Sequence, residues 1–224
     1  MNEQHTEQSM EVTVPAGKVT LDGNLSVPDN PKGLVVFAHG SGSSRFSSRN
    51  RYVAGVLNKG GLATLLFDLL TAEENAIDVQ TRELRFDIEL LSERMIATVD
   101  WLGGAATVAD LSIGLFGAST GAAAALNAAA ARPDRVAAVV SRGGRPDLAM
   151  AALPRVKAPS LLIVGSLDLV VIGMNREAEA ALESLCRVEI VEGATHLFEE
   201  PGTLEQVAAL ARDWFLEHLH GPVQ

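Results

Sequence analysis

Leu111-Ser112-Ile113-Gly114-Leu115-Phe116-Gly117-Ala118-Ser119-Thr120-Gly121-Ala122, running on through an alanine-rich stretch to Ala131, is the part of this chain whose reading decides the fold. The apolar run over Ser112–Phe116 predicts a short strand, and Ser119–Ala131 predicts a helix stopped before Pro133. Between them stands a Gly-x-Ser-x-Gly pentapeptide, Gly117 to Gly121. A serine on so tight a strand-to-helix turn is lifted clear of the backbone. Glycines two residues before and after it remove side chains that would collide there. The helix that follows aims its free N–H groups and positive dipole end at the serine, which favours negative charge developing nearby.

Working outward, the same alternation recurs. Glu11–Val14 and Val19–Val27 read as two antiparallel strands divided by Pro15-Ala16-Gly17. Leu34–Ala38 is a short continuous apolar run, as expected of a strand covered on both faces. A helix over Ser48–Lys59 follows, ended by Gly60-Gly61, and then a strand over Leu62–Phe67. Residues 68–84 read as an acid-rich loop, and Phe86–Leu102 as an amphipathic helix. Beyond the pentapeptide, strands are expected over Val136–Val140, Ser160–Val164 and Arg187–Val191, with helices over Gly173–Leu185 and Thr203–Leu219. Strands alternating with helices imply a mostly parallel sheet flanked by helices on both faces. The chain shows no repeat and no internal linker. We therefore expect a disordered tail over residues 1–9 and one α/β domain over residues 10–224.

Composition narrows the function. The chain has 224 residues, 47% of them apolar but only 4% aromatic, so its core must rest on Leu, Val, Ile and Ala. The net charge of −10 argues against nucleic acid or an anionic membrane surface as partner. The polar N-terminus carries no secretory apolar segment, and no stretch reads as membrane-spanning, so a cytoplasmic protein is expected. Its one cysteine, Cys186, cannot form an internal disulfide; it lacks any turn motif and reads as a packed residue. The protein is expected to be a monomer or a homodimer.

In a parallel α/β sheet, ligands gather beyond the C-terminal ends of the strands. At those ends stand His39-Gly40-Ser41-Gly42, Asp68, Ser119, Ser141 to Arg145, Gly165-Ser166-Leu167-Asp168 and Glu192 to His196. Serine is too weak an acid to attack a carbonyl unaided. It needs a base of near-neutral pKa, which is histidine, and the histidine needs a carboxylate to fix its tautomer. Ser119, Asp168 and His196 supply these groups on one edge of the sheet. Asp147 and Asp68 are fallback carboxylates; Asp147 reads more easily as the cap of a short helix, Leu148–Leu153, and Asp134 lies at the wrong end. His39 reads as a loop-bracing histidine, and His218 and His220 as helix-end residues. Acyl transfer also needs preorganised N–H groups for the oxyanion, each worth about 3–4 kcal/mol. The backbone N–H groups of Thr120 and Ser41 are the candidates. A phosphate-loop reading of residues 39–42 lacks the lysine it requires. Arg45, Arg142 and Arg145 lie near the same edge. Such arginines usually pair with surface acids, and the sharper reading gives Arg45 or Arg142 a carboxylate of the substrate to hold.

Taken together, these motifs resemble the α/β-hydrolase superfamily, and within it the dienelactone hydrolase-like group, over about residues 18–219. The resemblance implies a Ser–Asp–His hydrolase with no metal and no cofactor. Dienelactone hydrolases themselves carry cysteine in the elbow where this chain has Ser119, which favours general ester hydrolysis over dienelactone. Only residues 141–159 separate two strands where many relatives insert a large cap, so an uncapped, open site is expected. The expected function is a serine carboxylesterase acting on short-chain or small esters, and the expected partner is a small-molecule ester. Lactone or thioester hydrolysis, acyl transfer, and a binding module that kept only the fold are the alternatives.

Overall fold

The computed structural model describes residues 8–220. Eight strands form one sheet in the order β1-β2-β4-β3-β5-β6-β7-β8. The strands are β1 (Gln8–Ala16), β2 (Val19–Val27), β3 (Leu34–Ala38), β4 (Ala63–Phe67), β5 (Ile113–Ala118), β6 (Val136–Arg142), β7 (Ser160–Gly165) and β8 (Cys186–Val191). The β1–β2 hairpin joins antiparallel to β4, and the remaining strands run parallel. The six helices are α1 (Ser48–Lys59), α2 (Ala72–Thr81), α3 (Ile88–Leu102), α4 (Thr120–Ala131), α5 (Leu169–Ala181) and α6 (Thr203–His218). Most of the expected tail lies outside the described residues; Gln8 and Ser9 open β1.

Burial explains the apolar runs. Every residue of β3, β4, β5 and β7 is buried, because helices cover both faces of the sheet. Alternate residues divide between two cores. Leu115, Val139 and Leu162 pack with Leu91, Met95 and Val99 of α3 and with the alanines of α4. Phe116, Val140 and Ile163 pack with Val53 and Leu57 of α1 and Trp214 and Phe215 of α6. The alanines of α4 are small because the helix sits hard against the sheet; Ala122 to Ala125 are wholly buried.

Three segments depart most from the sequence reading. Residues 68–84 are not merely a loop. Thr71 and Glu74 form a reciprocal capping box that starts α2. Helix α5 begins at Leu169 rather than Gly173, so Leu169-Val170-Val171-Ile172 is its first turn and Asp168 its N-cap. After β6 there is no cap domain. Residues 143–159 hold two short 3-10 turns, Pro146–Ala149 and Leu153–Arg155, in place of the short helix over Leu148–Leu153.

The turn at 117–121 depends on two glycines. A Cβ on Gly121 would lie 2.5 Å from the carbonyl oxygen of His39 and collide with that of Ala38; one on Gly117 would lie 2.7 Å from the Ala122 nitrogen. Both obstacles are backbone and cannot swing away. Gly121→Ala should therefore destabilise the protein by about 3 kcal/mol or more, seen as a lost urea transition or lost soluble yield. Gly55→Ala, whose Cβ meets nothing within 4 Å in mid-α1, should stabilise by about 0.5–1 kcal/mol in the same assay. Equal behaviour of the two variants would contradict this account of the turn.

Candidate active site

Ser119 sits between β5 and α4 at φ 51° and ψ −122°, a conformation that costs a non-glycine residue about 1–3 kcal/mol. Neighbouring backbone holds it there. Its N–H donates to the Arg142 carbonyl at 3.2 Å, and its carbonyl accepts from Arg145 N–H at 3.0 Å and Ala122 N–H at 3.1 Å. Strain of this kind raises the serine oxygen above the end of the sheet.

Two residues from other loops meet where β6 ends, next to Gly143. The Asp168 carboxylate accepts from Nδ1 of His196 at 2.6 Å. With the proton on Nδ1, Nε2 is left with a free lone pair. Neither fallback acid reaches this histidine. Asp147 is held by Arg145 at 2.8 and 2.9 Å, and Asp68 is held by Arg45. The His196 ring lies against Gly143, where a Cβ would come within 3.5 Å of Cε1 and Nδ1. Gly143 has φ +51°, so the turn after β6 both needs a glycine and leaves the ring its space. Thr195 anchors the same loop, its hydroxyl donating to Glu200 at 2.6 Å.

On the opposite side, the Ser41 hydroxyl is 2.8 Å from the Thr120 hydroxyl and donates to the Arg85 carbonyl at 3.2 Å. The backbone N–H groups of Ser41 and Thr120 find no acceptor among the described residues. The sequence did not reveal what braces Ser41. Arg85 is clamped by buried Asp78, which accepts from its N–H at 2.9 Å and from Nε at 2.7 Å. Burial raises the Asp78 pKa, but the Arg85 hydrogen bonds and charge outweigh it and hold the carboxyl below its ordinary range. Helix α2, which carries Asp78, thus supports the loop beside Ser119. The capping box at Thr71 and Glu74 was the signal for it.

His39 braces the same loop. Leu69 N–H donates to its Nε2 at 3.1 Å, so the ring proton is on Nδ1, which donates to the Gly40 carbonyl at 3.0 Å. Burial lowers its pKa below 6.5, and the Gly40 carbonyl and Asp68 only partly oppose this. Of the arginines, Arg45 spends its charge on Asp68 and, at 3.6 Å, on Asp22. Arg142 has no such partner among the described residues. Cys186 is partly buried, and burial, with the Glu179 charge, pushes its thiol up to about 12. A cleft of about 970 Å³ opens beside Ser41, lined among others by Gly40, Ser41, Arg45, Asp68, Leu70 and Arg85; Ser119, Thr120 and His196 are not part of its lining. No helix among the described residues is long and apolar enough to cross a membrane.

A mostly parallel sheet with a strained serine elbow on its central strand defines an α/β hydrolase. Comparison with known proteins narrows the class. Residues 21–218 match the dienelactone hydrolase family. The chain is 58% identical to a dienelactone hydrolase from Anabaena variabilis ATCC 29413, whose crystal structure superposes with a TM-score of 0.95 over 96% of this chain and 100% of that one. An esterase of Pyrococcus furiosus shares the fold at a TM-score of 0.75 and 18% identity, covering 94% of this chain and 93% of its own. Two Mycobacterium tuberculosis proteins, provisionally named phosphoribosyl transferases, are 59% identical over 212 residues, 95% of this chain and 47% of theirs. The chain thus spans about half the length of these curated relatives. It belongs to the dienelactone hydrolase family.

The neutral, buried state of His39 has a consequence for stability. Below its ordinary pKa of 6.5 the unfolded chain takes up a proton that the folded site refuses. This contribution is fully present above pH 6.5 and is lost as pH falls from there towards the lowered folded value. Urea melts at pH 7.5, 6.5 and 5.5 should show wild type losing stability faster on acidification than His39→Gln. Parallel losses would contradict the neutral assignment.

Proposed function

We propose that the protein is a serine hydrolase of carboxylic esters, with Ser119 as nucleophile, His196 as general base and acid, and Asp168 as the group that orients His196. The observation that carries this reading is the 2.6 Å contact between Asp168 and Nδ1 of His196, which frees Nε2 to take the serine proton. Ser119 Oγ attacks the ester carbonyl carbon as His196 accepts its proton. The Ser41 and Thr120 N–H groups receive the oxyanion. The tetrahedral intermediate then collapses, the C–O bond to the alcohol breaks, and His196 returns the proton to the leaving oxygen. Water, deprotonated by His196, cleaves the acyl-enzyme and regenerates Ser119. The thiol of Cys186, kept protonated, is a poor rival nucleophile.

Two features shape the substrate range. The site has no cap, and a 970 Å³ cleft opens beside Ser41, on the side where its N–H would receive the oxyanion, so a group larger than acetate or butyrate has space to extend from there. Short-chain esters fit the reading, and larger ones fit it too. Lactones and thioesters pass through the same tetrahedral oxyanion and are the second reading. Phosphoribosyl transfer, named for the mycobacterial relatives, we assign to the half of those proteins that this chain does not match.

The test is turnover of p-nitrophenyl acetate and butyrate by wild type and Ser119→Ala. We expect kcat to fall by at least about 10³-fold in the variant, with an unchanged circular dichroism spectrum and melting temperature. Full activity in the folded variant would overturn the assignment. Faster turnover of a lactone or thioester than of both esters would favour the second reading.

A further inference from the structure

One cation beside Ser119 lacks a counter-charge. Arg142 ends β6, and its carbonyl accepts the Ser119 N–H. Its side chain shares a strand face with Ala138 and Val140, on the side covered by α1 and α6. The residue is only 8% exposed, and the guanidinium carbon lies 5.9 Å from the centroid of the Phe116 ring. Nη1 is enclosed without a hydrogen-bond partner, and no carboxylate among the described residues pairs with the group.

This is not for want of acids, since the chain has 28 acidic residues against 18 basic ones. Arg45, Arg85, Arg94 and Arg145 each sit on a carboxylate. The charged group that acts on Arg142 is instead a second cation. Burial and the nearby Arg49 charge push its pKa down to about 10. Arg49 lies in the first turn of α1 and, among the described residues, holds Glu199 alone, at 3.1 Å and at the surface. Two more enclosed atoms without partners occupy the same turn, Nε of Arg49 and Oδ1 of Asn50. An unpaired buried cation lowers stability, so its presence here calls for an anion that is not part of the chain.

Resting on the ester-hydrolase reading, we propose that Arg142, assisted by Arg49 and the N-terminal end of α1, forms a subsite for a phosphate group carried by the ester substrate. Charge favours phosphate over carboxylate. Arg142 supplies one unit, the helix end about half a unit, and Arg49 whatever Glu199 leaves unneutralised, against about −1.5 to −2 on a phosphomonoester at neutral pH. A guanidinium also presents paired N–H donors to two phosphate oxygens. The substrate class is therefore a phosphorylated ester whose phosphate stays intact while Ser119 cleaves the acyl bond.

The probe is inorganic phosphate, with succinate as the carboxylate comparison, titrated calorimetrically into wild type, Ser119→Ala, Arg142→Gln and Arg49→Gln. Phosphate should bind wild type and Ser119→Ala at one site, more tightly than succinate. Arg142→Gln should weaken it at least tenfold, and Arg49→Gln about threefold. Phosphate should raise the melting temperature of wild type but not of Arg142→Gln, which without phosphate should melt no lower than wild type. Absent phosphate binding, tighter succinate binding, or equal phosphate affinity in wild type and folded Arg142→Gln would each overturn the subsite. If Arg142→Gln does not fold, an undiminished affinity in Arg49→Gln overturns it. The two readings fail separately. An active esterase indifferent to phosphate removes the subsite alone, and a phosphate-binding protein inert on every ester removes the ester reading.

Discussion

The backbone of Ser119, held at φ 51° between β5 and α4, is the constraint on which the rest of the site depends. The conformation is unfavourable for serine in isolation. It persists because α4 presses against the ends of β3 and β5, with no side chain at 117 or 121 to hold them apart, and because Arg142 and Arg145 fix both of its peptide groups. The alanines of α4 serve the same close approach. One tight turn thus explains an unusual helix composition, two glycines and the raised position of one hydroxyl.

Around that turn the loops are fastened by hydrogen bonds from well outside the site. Asp78 holds Arg85, and Arg85 holds Ser41 beside Thr120. Glu200 holds Thr195, and Asp168 holds His196. His39, neutral and buried, ties the loop after β3 to the one after β4. Groups that must be in place before a substrate arrives are therefore set by the fold. The arginines divide on the same principle. Those with a bracing task are neutralised by carboxylates, and Arg142, next to the serine, is left charged and unpaired.

Much of this was legible in the sequence because it rested on short-range signals. Leu34–Ala38 and Ser48–Lys59 have in the structure the bounds their apolar pattern and flanking glycines implied. Ser119, Asp168 and His196 fall at strand ends, where the alternation of elements put them. Helix α2 was hidden because most of its side chains face solvent, leaving no apolar stripe; only its capping box was visible. The early start of α5 was missed because Leu169 and Val170 are exposed apolar residues, 74% and 70% accessible, on a helix turn that buries little. Pairing across the fold could not be read at all. The separation of Arg45 from Arg142, one neutralised and one not, depends on where Asp22, Asp68 and Arg49 come to lie.

The central claim is that this backbone makes Ser119 a nucleophile. Incubation of the folded protein with a fluorophosphonate, followed by mass spectrometry of the peptides, addresses it directly. The account predicts one stoichiometric adduct, on Ser119. An unmodified protein, or an adduct at Cys186 or elsewhere with Ser119 free, would contradict it.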